Sequence, residues 1–224
     1  MRDERVSGTG GGSGELVTVH RVFRREFGLL PRMVAGVRPG NVERSELVAG
    51  HVAELVQALS AHVRAEDELL WPKLRERSGS PATAGLVERL EGEHDQLRIL
   101  LDRVRVLLPM WSSAADGRTR DELVATLSEA TRVLEAHLDA EEAEVLPIAD
   151  QHVAREEWDE LGRAGVAGIP RERLPVFLGA VLEEASGEER SRFLGHVPLP
   201  GRLAYLLVGQ RRYRAETTTL RSGL

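Results

Sequence analysis

One hexapeptide recurs in the chain. His62-Val63-Arg64-Ala65-Glu66-Asp67 returns as His137-Leu138-Asp139-Ala140-Glu141-Glu142, and the match extends beyond it. Leu59 and Leu134 stand three residues before the His, Ala61 and Ala136 one before, and Pro72 and Pro147 ten after. Each copy also has a leading His: His20 lies 42 residues before His62, and His94 lies 43 before His137. A single His-x-x-x-Glu is common on solvated helices. Two in matching frames mark an internal repeat, which must be read before anything else about the fold.

The repeat sits on helical periodicity. Residues four apart on a helix share a face, so His62 and Glu66 point one way, and so do His137 and Glu141. Leu16, Val19, His20, Phe23, Phe27 and Leu30 form an apolar stripe on a first helix, Glu15–Ala35. A second helix is expected over Val42–Arg77, with a kink or break near Leu69 ahead of Pro72. A third spans Pro81–Leu108, with Ser80 as its cap. The connection Pro109–Arg118 leads to a fourth helix, Thr119–Val153, opened by Thr119 and Glu122. At about 1.5 Å per residue, three hairpins bring all four His to one level. The expected fold is therefore all-α: an up-down-up-down four-helix bundle over residues 15–153. A glycine-rich stretch at 1–14 reads as a flexible tail. Residues 154–224, rich in Gly and Pro, read as an extension of short helices packed on the bundle. Its best helical stretches are Arg173–Glu184, Glu188–Gly195 and Arg202–Arg211.

Composition narrows the chemistry. The chain has no Cys, which excludes disulfides, thiolate metal sites and Cys nucleophiles. A net charge of −6 gives no electrostatic reason to expect nucleic acid, and Arg211-Arg212-Tyr213-Arg214 reads as a solvated helix end. No apolar run is long enough to span a bilayer and no secretory signal opens the chain, so no membrane role and a cytoplasmic setting are expected. Oligomeric state is open.

An ionised Glu in a bundle core costs several kcal/mol unless it is paired or metal-bound. Four inward His and two inward Glu at one level need a common partner, although Arg24 and Arg98 lie one turn from their His and could neutralise a carboxylate each. Imidazole with carboxylate suits iron, manganese or zinc. If Glu66 and Glu141 bridge two metals, each metal receives two His nitrogens and keeps open positions. Of the remaining candidates, His51 is about 16 Å along the helix from His62, too far to ligate. Glu91 is a candidate extra ligand or outer partner. Glu68, Glu93, Glu142 and Glu144 read as solvated or outer groups, and Trp71, Trp111 and Trp158 as boundary packing.

His20, His62-x-x-x-Glu66, His94 and His137-x-x-x-Glu141 together resemble the hemerythrin-like, or HHE cation-binding, family. The resemblance covers about residues 15–153. It implies a non-haem di-iron centre, bridged by oxo or hydroxo, with His20, His62, His94 and His137 as terminal ligands and Glu66 and Glu141 as bridges. Oxygen-carrying hemerythrins use five His, with a His-x-x-x-His on the third helix; here Arg98 stands four after His94. The centre is poorer in His and more open. The function expected is binding or sensing of O2, NO or related small oxidants. The alternative is a di-iron oxidoreductase acting on peroxide or activating O2 toward an organic substrate. A structural zinc site is the third option.

Overall fold

A computed structural model describes residues 12–222 and residue 224. All regular secondary structure among the described residues is helical, with no strand. Four long helices carry the repeat: α1 (Ser13–Ala35), α2 (Val42–Ala65), α4 (Pro81–Ala114) and α5 (Gly117–Ala140). They pack as a closed ring, α1 on α5, α5 on α4, α4 on α2 and α2 on α1. Of the expected tail, residues 1–11 lie outside the described residues, and Ser13 and Gly14 already belong to α1.

Neither α2 nor α5 breaks before its proline. Each passes through a single π turn, Glu66–Leu70 or Glu141–Val145. It then continues as α3 (Trp71–Ser78) or α6 (Leu146–His152). Proline lacks an N–H, and its ring collides with the carbonyl four residues back. Widening the turn relieves that collision. The Trp71 N–H donates to the Glu66 carbonyl and the Leu146 N–H to the Glu141 carbonyl, each five residues back. The expected kink is thus a π turn, and it starts at the Glu of each repeat.

Two other boundaries differ from the sequence reading. Helix α4 runs through Pro109 to Ala114, where a connection was expected. Pro109 faces solvent, so the carbonyl it frees can be hydrated. Leu107 and Leu108 just before it and Trp111 just after it are buried and hold the helix together. Ala115, with φ 48°, ends it. Helix α5 is capped by Asp116, whose carboxylate accepts from the Thr119 N–H at 2.9 Å, rather than by Thr119.

The extension comprises α7 (Arg155–Val166), α8 (Leu174–Glu184), α9 (Gly187–His196), α10 (Leu199–Ala204) and α11 (Gln210–Arg221), with a π turn at Tyr205–Gly209. Helix α7 was not foreseen. The Ala154 N–H donates to its Glu157, and Trp158 and Leu161 are buried under it. Helix α7 packs on α2, and α8 lies on α1 through Val22, Ala180 and Val181.

Two apolar clusters fill the bundle. One gathers Phe23, Phe27, Leu59, Leu97, Leu134 and Trp111. The other gathers Leu70, Trp71, Leu74, Leu90, Val145 and Trp158. All three Trp are buried, not at the boundary as expected: Trp111 in the first cluster, Trp158 in the second, and Trp71 in the second with its ring centroid 5.8 Å from that of His94. The six repeat residues lie at the seam between the two clusters.

Candidate metal centre

His20, His62, Glu66, His94, His137 and Glu141 are all buried, at 6% exposure or less. Their donor atoms form two overlapping groups. His20, His62, Glu66 and Glu141 offer atoms within 4.8 Å of one another, and so do Glu66, His94 and His137. Glu66 belongs to both groups. Glu141 also reaches toward both: its Oε2 lies 3.5 Å from His20 Nε2 and 3.8 Å from His137 Nε2.

These atoms are near one another without satisfying one another. Nε2 of His20 and of His62, and both carboxylate oxygens of Glu66 and Glu141, are buried with no hydrogen-bond partner. His62 Nε2 is only 3.0 Å from Glu66 Oε1, yet the angle is not that of a hydrogen bond. Buried polar atoms are almost always paired, because an orphan costs about 1–3 kcal/mol and more when charged. Six orphans in one spot mark atoms arranged for a shared third party. Imidazole nitrogen and carboxylate oxygen together are the donor set for a cation such as iron, manganese or zinc.

The other ring nitrogens of His20, His94 and His137 are accounted for. His20 Nδ1 donates to Glu142 at 2.9 Å, His94 Nδ1 to Asp67 at 2.8 Å and His137 Nδ1 to Glu93 at 3.1 Å. Each of these acids is held by an arginine. Arg24 binds Glu142 at 2.6 Å, Arg98 binds Asp67, and Arg89 binds Glu93 at 3.2 Å. A carboxylate on Nδ1 fixes the ring and leaves Nε2 as the donor facing inward, the usual support for a ligating His. His62 is placed by aromatic packing, with the Phe23 ring centroid 5.1 Å and the His20 centroid 5.2 Å away.

The charges follow from burial. Burial holds the His20 imidazole down at about 4, although Glu142 pulls the other way. Burial lowers His137 as well. Burial opposes charge on His94 too, but Asp67 and Glu66 outweigh it and raise the ring to about 9. Its Nε2–H therefore faces the neutral His137 Nε2, 3.0 Å away. Burial alone would raise Glu66, yet His62 and His94 hold it well below the usual carboxylate range. Burial and the charges of Glu66 and Glu142 push Glu141 well above it. Two carboxylates this close cannot both ionise, so one keeps a proton. Incoming cations take the place of such protons.

The structure thus brings all six predicted residues together, and it revises several neighbours. Arg24 and Arg98 do not neutralise Glu66 or Glu141; they bind Glu142 with Asp139 and Asp67 with Asp95. Glu91 is no ligand but an ion-pair partner of Arg75 on the surface. Asp67 was overlooked, although it follows Glu66 as Glu142 follows Glu141. The family model described as the hemerythrin HHE cation binding domain matches residues 12–149. The chain belongs to this family. Compared with curated proteins and with solved structures, it gives no significant match. In this hemerythrin-family chain, no helix among the described residues is long and apolar enough to cross a membrane.

Proposed function

We propose that this chain is a non-haem di-iron protein that binds or senses O2, NO or related small oxidants at the His/Glu centre. The observation that carries the reading is the set of orphaned Nε2 and carboxylate atoms in two overlapping groups that share Glu66. The reading includes the up-down-up-down order of the four long helices and a cytoplasmic, reducing setting. Two iron ions, when bound, supply the Lewis acidity and the electron exchange that take up the small oxidant. The chain supplies the rest. Glu142, Asp67 and Glu93 orient His20, His94 and His137. Three arginines balance those acids at the surface, and the two apolar clusters keep bulk water away.

Sensing is favoured over turnover of an organic substrate by where the extension puts its space. Its cavity of about 100 Å³ is lined by Glu26 and His51. Val22, two residues after His20, and Ala58, one turn before His62, also line it, but none of the six donor residues does. Among the described residues the extension's cavity therefore does not open onto the donors.

The test is the metal content of aerobically purified protein, with its visible spectrum before and after peroxide. About two irons per chain, with an absorption band that responds to peroxide, support the reading. Oxygen evolution on adding peroxide would favour a di-iron oxidoreductase instead. A single zinc with no spectral response, or a His62→Ala variant that takes up metal unchanged, overturns it.

A further inference from the structure

The 23 residues from Leu199 to Arg221 run as one helical stretch, α10, π turn and α11. Its inner face is fixed against α8. A Cβ at Gly209 would lie 2.7 Å from the Pro175 carbonyl oxygen, and one at Gly179 would lie 2.7 Å from the Tyr213 ring. Glycine is needed at both places for the backbones to approach so closely. Tyr205 is buried on the same side.

The outer face is unlike the rest of the surface. Leu199, Leu203, Leu206, Leu207 and Val208 are between 48% and 70% exposed. The four leucines follow helical spacing and make one stripe, whereas Leu47 stands on α2 and, on α4, the exposed Arg103 separates Ile99 from Val106 and Met110. Apolar side chains exposed as a contiguous stripe mark an interaction surface; isolated ones do not. The charge along the stripe is also one-sided. Residues 199–215 of this helical stretch contain four Arg and no Asp or Glu, in a chain whose net charge is −6, and the acid that follows, Glu216, pairs with Arg212 and Arg173. Arg211 and Arg214 are exposed beside the stripe.

We propose that this stripe docks on an anionic lipid surface, with the leucines in the acyl boundary and the arginines at the headgroups. An amphipathic helix with an apolar face and a cationic flank binds in this way, lying in the interface without spanning it. The absence of a spanning helix, from which no membrane role was expected, does not bear on this mode. Two other occupants fit less well. Residues 1–11 offer only Met1 and Val6 as large apolar side chains, too few to cover five. A second copy docked by the same stripe would bring arginines against arginines, with no acid in residues 199–215 to meet them. The proposal stands independently of the metal reading.

The test is co-sedimentation of the full chain with vesicles of phosphatidylcholine alone and of phosphatidylcholine with phosphatidylglycerol. Binding is expected to the anionic vesicles, weaker to the neutral ones, and reduced as salt rises from about 0.1 M to about 0.5 M. Leu206→Gln/Leu207→Gln is expected to weaken it more than about tenfold. Arg211→Gln/Arg214→Gln is expected to weaken it by about fivefold per charge on anionic vesicles only. All four side chains are exposed, so an unchanged circular dichroism melt accompanies both variants. Ile99→Gln, an exposed apolar change on α4, is expected to leave binding intact. Absence of binding to anionic vesicles overturns the proposal, as does binding indifferent to the leucine pair. So does a dimer in sedimentation equilibrium that the leucine pair dissolves, which would assign the stripe to a second copy.

Discussion

The half of the bundle from α1 to α3 and the half from α4 to α6 present the same donors in the same frame, yet they support them differently. The leading His of each half is treated alike. Arg24, Glu142 and His20 form one relay, and Arg98, Asp67 and His94 the other. In both, the arginine comes four residues after the His and the acid comes from the opposite half. The second His of each half is not treated alike. His137 is held by Glu93, and Glu93 by Arg89. In the first half the matching positions are Val19 and Glu15, so no such relay can be built there, and His62 rests against Phe23 instead. Ligand spacing therefore constrains a duplicated chain more tightly than ligand support does. One acid next to a leading His is enough to make the two ends of the centre unequal.

The largest expected effect separates the two carboxylates. Glu66 belongs to both donor groups, and Glu141 completes only one of them. Glu66→Ala is expected to abolish stable iron binding, whereas Glu141→Ala, which leaves Glu66, His94 and His137 together, is expected to retain roughly one iron per chain. Iron quantified after gel filtration decides it. Equal loss from both variants would mean that Glu66 is not shared more than Glu141.

Packing should be even where support is not. Leu59 and Leu134 stand three before their His, and both are fully buried in the same cluster. Each Leu→Ala change is expected to cost about 3 kcal/mol in urea unfolding, and the two to agree within about 1 kcal/mol. A clear inequality would show that the two halves differ in their cores as well as in their supports.

The outer acids come next. Asp67→Ala and Glu142→Ala are each expected to lower iron affinity by about 10- to 100-fold. Glu93→Ala makes His137 resemble His62, and about a tenfold loss is expected. None of the three strands its arginine: Arg98 keeps Asp95, Arg24 keeps Asp139, and Arg89 keeps Glu144. The loss therefore reads on the ring. Competition with a coloured chelator measures it, and an unchanged affinity for Glu93→Ala would remove the asymmetry between the halves.

Much of this was legible in the sequence, and the gaps have physical causes. The repeat places six donors and the helices that bring them to one level, because helical periodicity is a local property. The acids on the ring nitrogens were half visible. Asp67 and Glu142 occupy matching places, but each serves a His in the other half, which no local pattern reveals. Glu93 has no acidic counterpart at all. Pro72 signalled a disturbance without its form, since a π turn depends on which carbonyl the displaced N–H reaches, and Pro147 signalled only a repeat position. Helix α4 outlasts Pro109 because burial of Trp111 outweighs the proline, a tertiary effect.

The smallest expected effect concerns the side of the first half that faces the extension. Glu26 follows His20 by six residues; the matching place in the second half is Leu100. Glu26 is buried, and it accepts from Arg25 at 2.8 Å and Arg221 at 3.0 Å, with His51 3.3 Å away. Burial would raise its carboxyl, but His51 and Arg25 override that and bring it down from 4.5 to about 2. The lowered value means that the unfolded chain binds a proton before the folded one does. The contribution of Glu26 is full above about pH 4.5 and is lost as pH falls toward 2. Between pH 4.5 and about pH 3 the loss should be on the order of 1 kcal/mol. Glu26→Gln cannot titrate and should lack that part of the acid slope. Arg25 and Arg221 both keep Glu183 as a partner, so the substitution strands neither. Urea unfolding of chelator-treated protein at the two pH values measures it. If the wild type and Glu26→Gln lose stability in parallel, Glu26 is not what makes this flank of the first half acid-sensitive.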